Sequence, residues 1–438
     1  MEETHIRDLS SLGKFINGLS DINSFTLQND EIELLRKKAN EEMYAANVKS
    51  LEDIFGNKHK EFLSGIGNLS LPKMPKVNTW TELQEHDKEI AGKKVLGGIR
   101  IYDNEIIKWV DPKMLKKGVI FCDLLTAIKD HSKKVNQAFE NNKIKRDTLI
   151  SNLIIGQSKL GSFLYIPDGI QLEGIFLIEI EISHAHSLIP IHLITMIGKS
   201  AYSNLVIDIK SKGNNKDHTI LVIQNDLILA ENSHISVFQK QKIGKEIALF
   251  ISEQITENRD AHVDCFILDQ GSAITDRFLA AELMGEGGSI NITGLYQPKN
   301  GQRFYYDTQQ NHFASYTKSD LLFKGVLGKD VYSSWKGNIL IIEDTRGTNG
   351  YQSNDNLIID PSAKAESIPG LEIITDDVRC SHGVTMGNID KNKMFYLQSR
   401  GINQEDAEKL IVDGFLSSAV KRMADKGFEE FILTFFEN

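Results

Sequence analysis

The hydrophobic residues of this chain change their spacing twice along its length. Near the start, Ile32, Leu35, Ala39, Met43 and Ala46 recur every three or four positions behind Asn29. That period belongs to a helix with one buried face, and Asn29 is placed to cap it. Ser50, with Asp53 three residues on, predicts the opening of a second helix. Pro72 and Pro75 mark a break. A further helical pattern covers Phe121–Phe139, with Leu124, Leu125, Ile128 and Val135 along it.

From about Leu153 to about Ile374 the apolar runs become short and β-prone, with Gly, Asn and Asp between them. Phe163–Ile166, Ile175–Ile182, Leu205–Ile209, Thr219–Ile223, Ile235–Phe238, Ile290–Tyr296 and Ile339–Ile342 are such runs, and Ile178–Ile182 alternates apolar with acidic residues. Many short strands with almost no helical signal predict a sandwich, a barrel or a solenoid. The Asn and Gly corners suit a β-helix, whose coils stack on one another. No strict short repeat is visible, so sandwich and β-helix stand level on pattern alone.

The last fifty residues return to the helical period. Asn403 is a candidate cap with Asp406 three positions on, and Ala407, Leu410, Ile411, Gly414 and Phe415 follow as one stripe. A second stripe passes through Val420, Met423 and Phe428. Such helices would close the open end of a β-stack or offer a docking surface. The chain thus divides into a mostly helical segment 1–150, a β core 151–384 and a helical segment 385–438.

Composition narrows the class. The 438 residues are 41% hydrophobic and 25% charged, enough for a large core in a water-exposed protein. The net charge of -10 advertises no basic face, which argues against nucleic acid as the main partner. The first residues lack a basic start and an apolar block, and no segment reaches the ~20 apolar residues that span a bilayer. No membrane contact and a cytoplasmic location are expected. Cys122, Cys265 and Cys380 lie far apart, so neither a disulfide framework nor a self-contained cluster site with four spaced thiolates is expected.

Cys380-Ser381-His382 is the tripeptide richest in chemistry. On a strand, residues two apart face the same way, so thiolate and imidazole would meet one iron or zinc ion. Asp376 and Asp377 stand just upstream as candidate oxygen ligands. Two ligands leave a tetrahedral site incomplete, and a partner chain is the economical source of the rest. The bland reading is a buried thiol beside a hydrogen-bonded histidine. His184-Ala185-His186 reads as two ordinary histidines on a solvated face, and Cys265 as a buried structural thiol. Gly198-Lys199-Ser200 lacks the earlier glycine of a phosphate loop, since that position is Leu193. Gly285–Gly288 reads as a turn, and Gly156-Gln157-Ser158 is no nucleophile elbow because residue 160 is Leu160.

Two segments carry a resemblance. Pro369–Ile373 with Asp376-Asp377-Val378-Arg379-Cys380-Ser381-His382-Gly383, and Phe395–Ile402 with Gly414-Phe415-Leu416, resemble the SufB/SufD family of iron–sulfur cluster assembly scaffolds. Weaker likeness runs through Phe163–Pro167, Ala230–Asn232 and Tyr351-Gln352, so that roughly residues 117 to 425 are covered. The resemblance implies a right-handed parallel β-helix flanked by N-terminal and C-terminal helical domains. It implies that the last coils pair a SufB-type with a SufD-type subunit, that a nascent cluster forms there, and that His382 takes part. It further implies that the C-terminal helices dock the ATPase SufC. SufB-type chains carry a cysteine soon after the residues resembling Tyr351-Gln352, whereas Ser353, Asn354, Asp355 and Asn356 follow here. The likeness is therefore to the SufD type. The first hundred residues match poorly and lack the family's tryptophan-containing motif.

The expectation is a scaffold subunit without catalysis of its own. His382 and Cys380 would contact a transient iron–sulfur cluster or iron at the junction with a SufB-like subunit, and Ala407, Leu410, Ile411, Gly414 and Phe415 would face SufC. A structural or regulatory subunit without a ligand role is the alternative, and a homodimer in isolation is a further one.

Overall fold

A computed structural model describes residues 30–46, 51–63, 66, 71–79, 89–90, 92–141, 148–183, 188–212, 218–422 and 426–433. Leu188–Ile197, Thr219–Leu229 and Ile274–Leu283 are buried at every position. A strand with nothing exposed needs cover on both faces, which selects a layered parallel architecture. The chain supplies it as a parallel β-helix with two sheets. One sheet runs through Lys93–Tyr102, Gln171–Ile182, Tyr202–Ser211, His234–Ile243, His262–Gly271, Ser289–Tyr296, Lys318–Leu327 and Thr348–Ile358 to Val378–Asn388. The other runs from Ile120–Asp123 through Leu160–Ile166, the three buried strands with Ile247–Glu257 among them, Arg303–His312 and Tyr332–Ile341 to Lys364–Ile373.

Ile220 lies beside Leu188, Ala248 beside Ile220 and Ile274 beside Ala248, so one coil consumes about thirty residues. The repeat is written in corners. Ser200, Asn232, Asp260, Gly287, Tyr316 and Gly347 occupy the same corner of successive coils, each with positive φ. The amide of each donates to a carbonyl of the next coil, Ser200 to Glu231, Asn232 to Arg259, Asp260 to Glu286, and so on to Gly347 and Asp377. Left-handed backbone favours Gly, Asn and Asp, which is why those residues punctuate the strands.

The space between the sheets holds the main core, from Leu160 and Ile191 through Leu221, Leu249, Val263 and Cys265 to Phe323 and Trp335. Helices cover the outer faces. Met43, Ile54, Phe55, Leu153 and Ile154 pack on Ile220, Val222, Ala248 and Phe250 of the second sheet. Leu416, Ala419, Val420, Phe431 and Ile432 pack on the first sheet with Val206, Phe238, Phe266, Leu295 and Leu322. The C-terminal helices therefore lie along the flank and do not close the end of the stack. The apolar outward side chains of several coils need cover more than one terminal rim does. Among the described residues no helix is long and apolar enough to cross a membrane.

Two local expectations change. The segment 121–139 is a strand, Ile120–Asp123, followed by helices Leu124–Asp130 and Ser132–Asn141. Asp123 ends the strand and caps the helix by accepting from the Thr126 amide at 2.9 Å. Within segment 1–150, Lys93–Tyr102 and Glu105–Val110 form a hairpin that joins the first sheet, with Asp103 at φ 49° in its two-residue turn. In helix Asp30–Ala45, Leu35 is exposed and Arg36 is buried, donating to the carbonyls of Ser158 and Gly156 at 3.1 and 3.0 Å.

Candidate functional site

Both sheets end at the same place along the stack. Among the described residues Lys364–Ile373 pairs only with Tyr332–Ile341, and Val378–Asn388 only with Thr348–Ile358. Each therefore keeps one backbone edge unpaired. Most of their side chains are half-buried or exposed, in contrast to the buried strands upstream. Ile368, Ile374, Val384 and Met386 stand out into solvent around this edge. The helix that follows, Lys391–Ser399, buries nothing, and Phe395 is 73% exposed. Asp390 caps it by accepting from the Asn392 amide at 2.9 Å.

The Cys-Ser-His tripeptide lies on this last strand. Cys380 is in register with Gly350, Ser381 with Tyr351 and His382 with Gln352. Gly350 faces Ile339 of the opposite sheet, and a Cβ there would come within 3.1 Å of Ile339 and 3.3 Å of Cys380 Sγ. Cys380 thus points into the space between the sheets, where the missing side chain leaves room for sulfur. Strand alternation puts His382 on the same face, one step nearer the middle of the strand. His382 is exposed and Cys380 half-buried. Burial pushes the Cys380 thiol up, and the Gly350 amide partly offsets this. The group is thus a neutral thiol at pH 7 unless a cation approaches. Asp377 sits on the final corner, its carbonyl accepting from Gly347 N at 2.7 Å, and both Asp376 and Asp377 are exposed.

Behind the edge the interior turns polar. Gln352 is fully buried, its Nε2 donates to the Gly370 carbonyl at 2.8 Å, and its Oε1 receives no hydrogen bond among the described residues. Asn354 donates to Tyr296 Oη at 3.1 Å and accepts from Ser367 and from Asn356. Asn354, one of the four residues that follow Gln352, is thus an amide locked into a buried network. Gln352 and Asn354 were not singled out from sequence as lining this end, because their partners lie in other coils.

The remaining sequence candidates separate from this site. Cys265 is buried in the core and Cys122 nearly so; burial pushes the Cys122 thiol up to about 12 and the Cys265 thiol higher still. His184 and His186 fall outside the described residues. The two glycine-containing stretches Gly198–Ser200 and Gly285–Gly288 are coil corners. In helix Gln404–Val420, capped by Asn403 Oδ1 accepting from the Asp406 amide at 2.9 Å, Ala407 is fully buried. Ile411 and Phe415 pack against the flank, while Leu410 (52% exposed) and Gly414 face outward. Among the described residues Cys380 and His382 join no third ligating side chain of this chain; the one group of three is His234, His262 and Asp264.

Residues 180–415 match the family model described as SUF system FeS cluster assembly, SufBD core domain. The match spans more than half of the chain, which therefore belongs to the SufBD family. Its relatives include the iron–sulfur cluster assembly protein SufD of Bacillus subtilis, 25% identical over 330 residues, 73% of this chain and 74% of that protein. SufD of Escherichia coli is 31% identical over 183 residues, 40% of this chain and 43% of that one. A SufBD family protein of Mycobacterium tuberculosis is 29% identical over 250 residues, 53% and 59% of the two chains. Within the family the chain is of the SufD type.

Proposed function

We propose that this chain is a scaffold subunit of Suf-type iron–sulfur cluster assembly that contributes part of a coordination sphere across its open edge. One observation carries the reading: Cys380 and His382 lie side by side on the last strand of the stack, paired on one edge only, without a third ligand among the described residues. Thiolate and imidazole suit iron, and a site short of ligands is completed most simply by a second subunit whose end coil stacks on this one. The exposed Ile368, Val384 and Met386 supply the apolar part of that contact. The partner is a SufB-like chain that brings the cysteine absent after Gln352. The bound iron or cluster is cargo, assembled at the junction and passed on.

The outward face of helix Gln404–Val420, with Leu410 and Gly414, is the docking surface for the SufC ATPase. ATP-driven movement of that partner opens the junction only in so far as it contacts the two states differently. The test is His382→Ala in the co-expressed complex. Folding and complex formation persist and cluster yield falls to background. Full cluster yield from this variant would leave the chain a structural subunit only.

A further inference from the structure

On the flank of the first sheet, three side chains from two adjacent strands converge. His234 and His262 open neighbouring strands and are in register, and Asp264 follows on the same face as His262. The imidazole rings are 4.7 Å apart between centroids. His234 Nε2 lies 3.6 Å and His262 Nε2 3.2 Å from Asp264 Oδ2. In a tetrahedral site with bonds of about 2.0–2.1 Å, neighbouring ligand atoms stand roughly 3.3–3.4 Å apart, so these separations fit a shared ion. Asp264 is completely buried, while the histidine side chains are 33% and 27% exposed and leave a way in.

The surroundings hold the ligands in ligating form. Ser289, next in register, bonds His262 Nδ1 at 2.7 Å, which directs Nε2 toward Asp264. Asn291 donates to Asp264 Oδ1 at 2.9 Å and leaves Oδ2 for another partner. Asp264 Oδ2 and His234 Nε2 make no well-aligned hydrogen bond among the described residues, and the contacts of Oδ2 are the two histidine nitrogens themselves. Two imidazoles, one carboxylate and partners behind them are the composition of an open transition-metal site.

We propose that His234, His262 and Asp264 form a site for one divalent transition-metal ion, with its fourth position open to water. The site lies four strands from Val378–Asn388 along the sheet, roughly 19 Å at ordinary strand spacing, and is separate from the open edge. It belongs to this chain alone and needs no partner.

Cobalt(II) is the probe, because its visible absorption reports nitrogen–oxygen coordination. The full chain carrying Cys380→Ser and His382→Ala, stripped with chelator, is titrated with Co²⁺ alone under anaerobic conditions. One equivalent binds with a visible band that Zn²⁺ displaces. His234→Gln and Asp264→Asn, each checked for folding by circular dichroism, abolish the band. Ser289→Ala keeps all three ligands and weakens binding about tenfold. No band in the parent protein, or an unchanged band and stoichiometry in folded His234→Gln, overturns the assignment.

Discussion

His382 sits directly beside Gln352 in the parallel register of the last two strands, the one exposed and the other fully buried. Gln352 ties its strand to the opposite sheet through the Gly370 carbonyl, so the coil that carries His382 rests on a fixed floor. Among the described residues the outer edge of that coil has no such partner. Its accessibility comes from topology: the C-terminal helices are spent on the flank, and nothing else among the described residues closes the stack.

An unpaired edge flanked by apolar residues is a pairing surface, and charge there opposes pairing. Val384→Asp with Met386→Asp should leave the melting temperature of the isolated chain unchanged, because both side chains already face solvent. The same pair should weaken association with a SufB-like subunit by at least about tenfold, or 1.4 kcal/mol. Co-purification and a binding titration read the two effects.

The helix Gln404–Val420 has two faces with different consequences. Leu416 is buried against the first sheet, and Leu416→Ala should cost about 2–4 kcal/mol of stability in denaturant titration. Leu410 is outward, and Leu410→Asp should leave stability within about 0.5 kcal/mol while reducing capture of the ATPase subunit. Equal capture by both proteins would remove this face from the interface.

The strands were legible in the sequence because β-branched runs and corner residues repeat through every coil. Their stacking was not, since the period is about thirty residues and the equivalent corners carry Ser, Asn, Asp, Gly or Tyr in turn. Phe121–Asp123 shows the limit of periodicity: the same apolar residues suit a helix or a strand, and the capping role of Asp123 decided it. Cys380 and His382 were found because two-residue spacing on a strand is visible locally. Gln352, Asn354 and the cluster of His234, His262 and Asp264 were not, because their neighbours are one coil away in sequence.

The same holds for the buried ion network between the sheets. Arg277, fully buried, donates to both Asp269 oxygens at 2.9 and 3.2 Å, to Glu253 at 2.5 Å and to Gln239 at 2.9 Å. Tyr306 Oη adds a hydrogen bond to Asp269 at 3.1 Å. Removing this cation leaves two buried carboxylates without the charge that faces them. Arg277→Met should cost about 3–5 kcal/mol by denaturant unfolding, and adding Glu253→Gln and Asp269→Asn should recover much of it.

Glu282 gives the stability curve a pH signature. Burial pushes its carboxyl up to about 7 from 4.5, against the Asn311 hydrogen bond at 3.0 Å. The folded state therefore holds this proton more tightly than the unfolded chain. Its contribution is complete below about pH 4.5 and is lost as pH rises through 7. Glu282→Gln should be more stable than the parent at pH 8, by at most about 3 kcal/mol, with the difference vanishing near pH 4. Parallel stability curves for the two proteins between pH 4 and 8 would contradict the assignment.

Shared coordination is tested most directly by counting iron and acid-labile sulfide after anaerobic reconstitution, on the chain alone and on its complex with a SufB-like subunit. The complex should hold a cluster and the isolated chain none, with loss of that cluster from a complex carrying Cys380→Ser and His382→Ala. A complete cluster on the isolated chain, or an undiminished one in the doubly substituted complex, would contradict it.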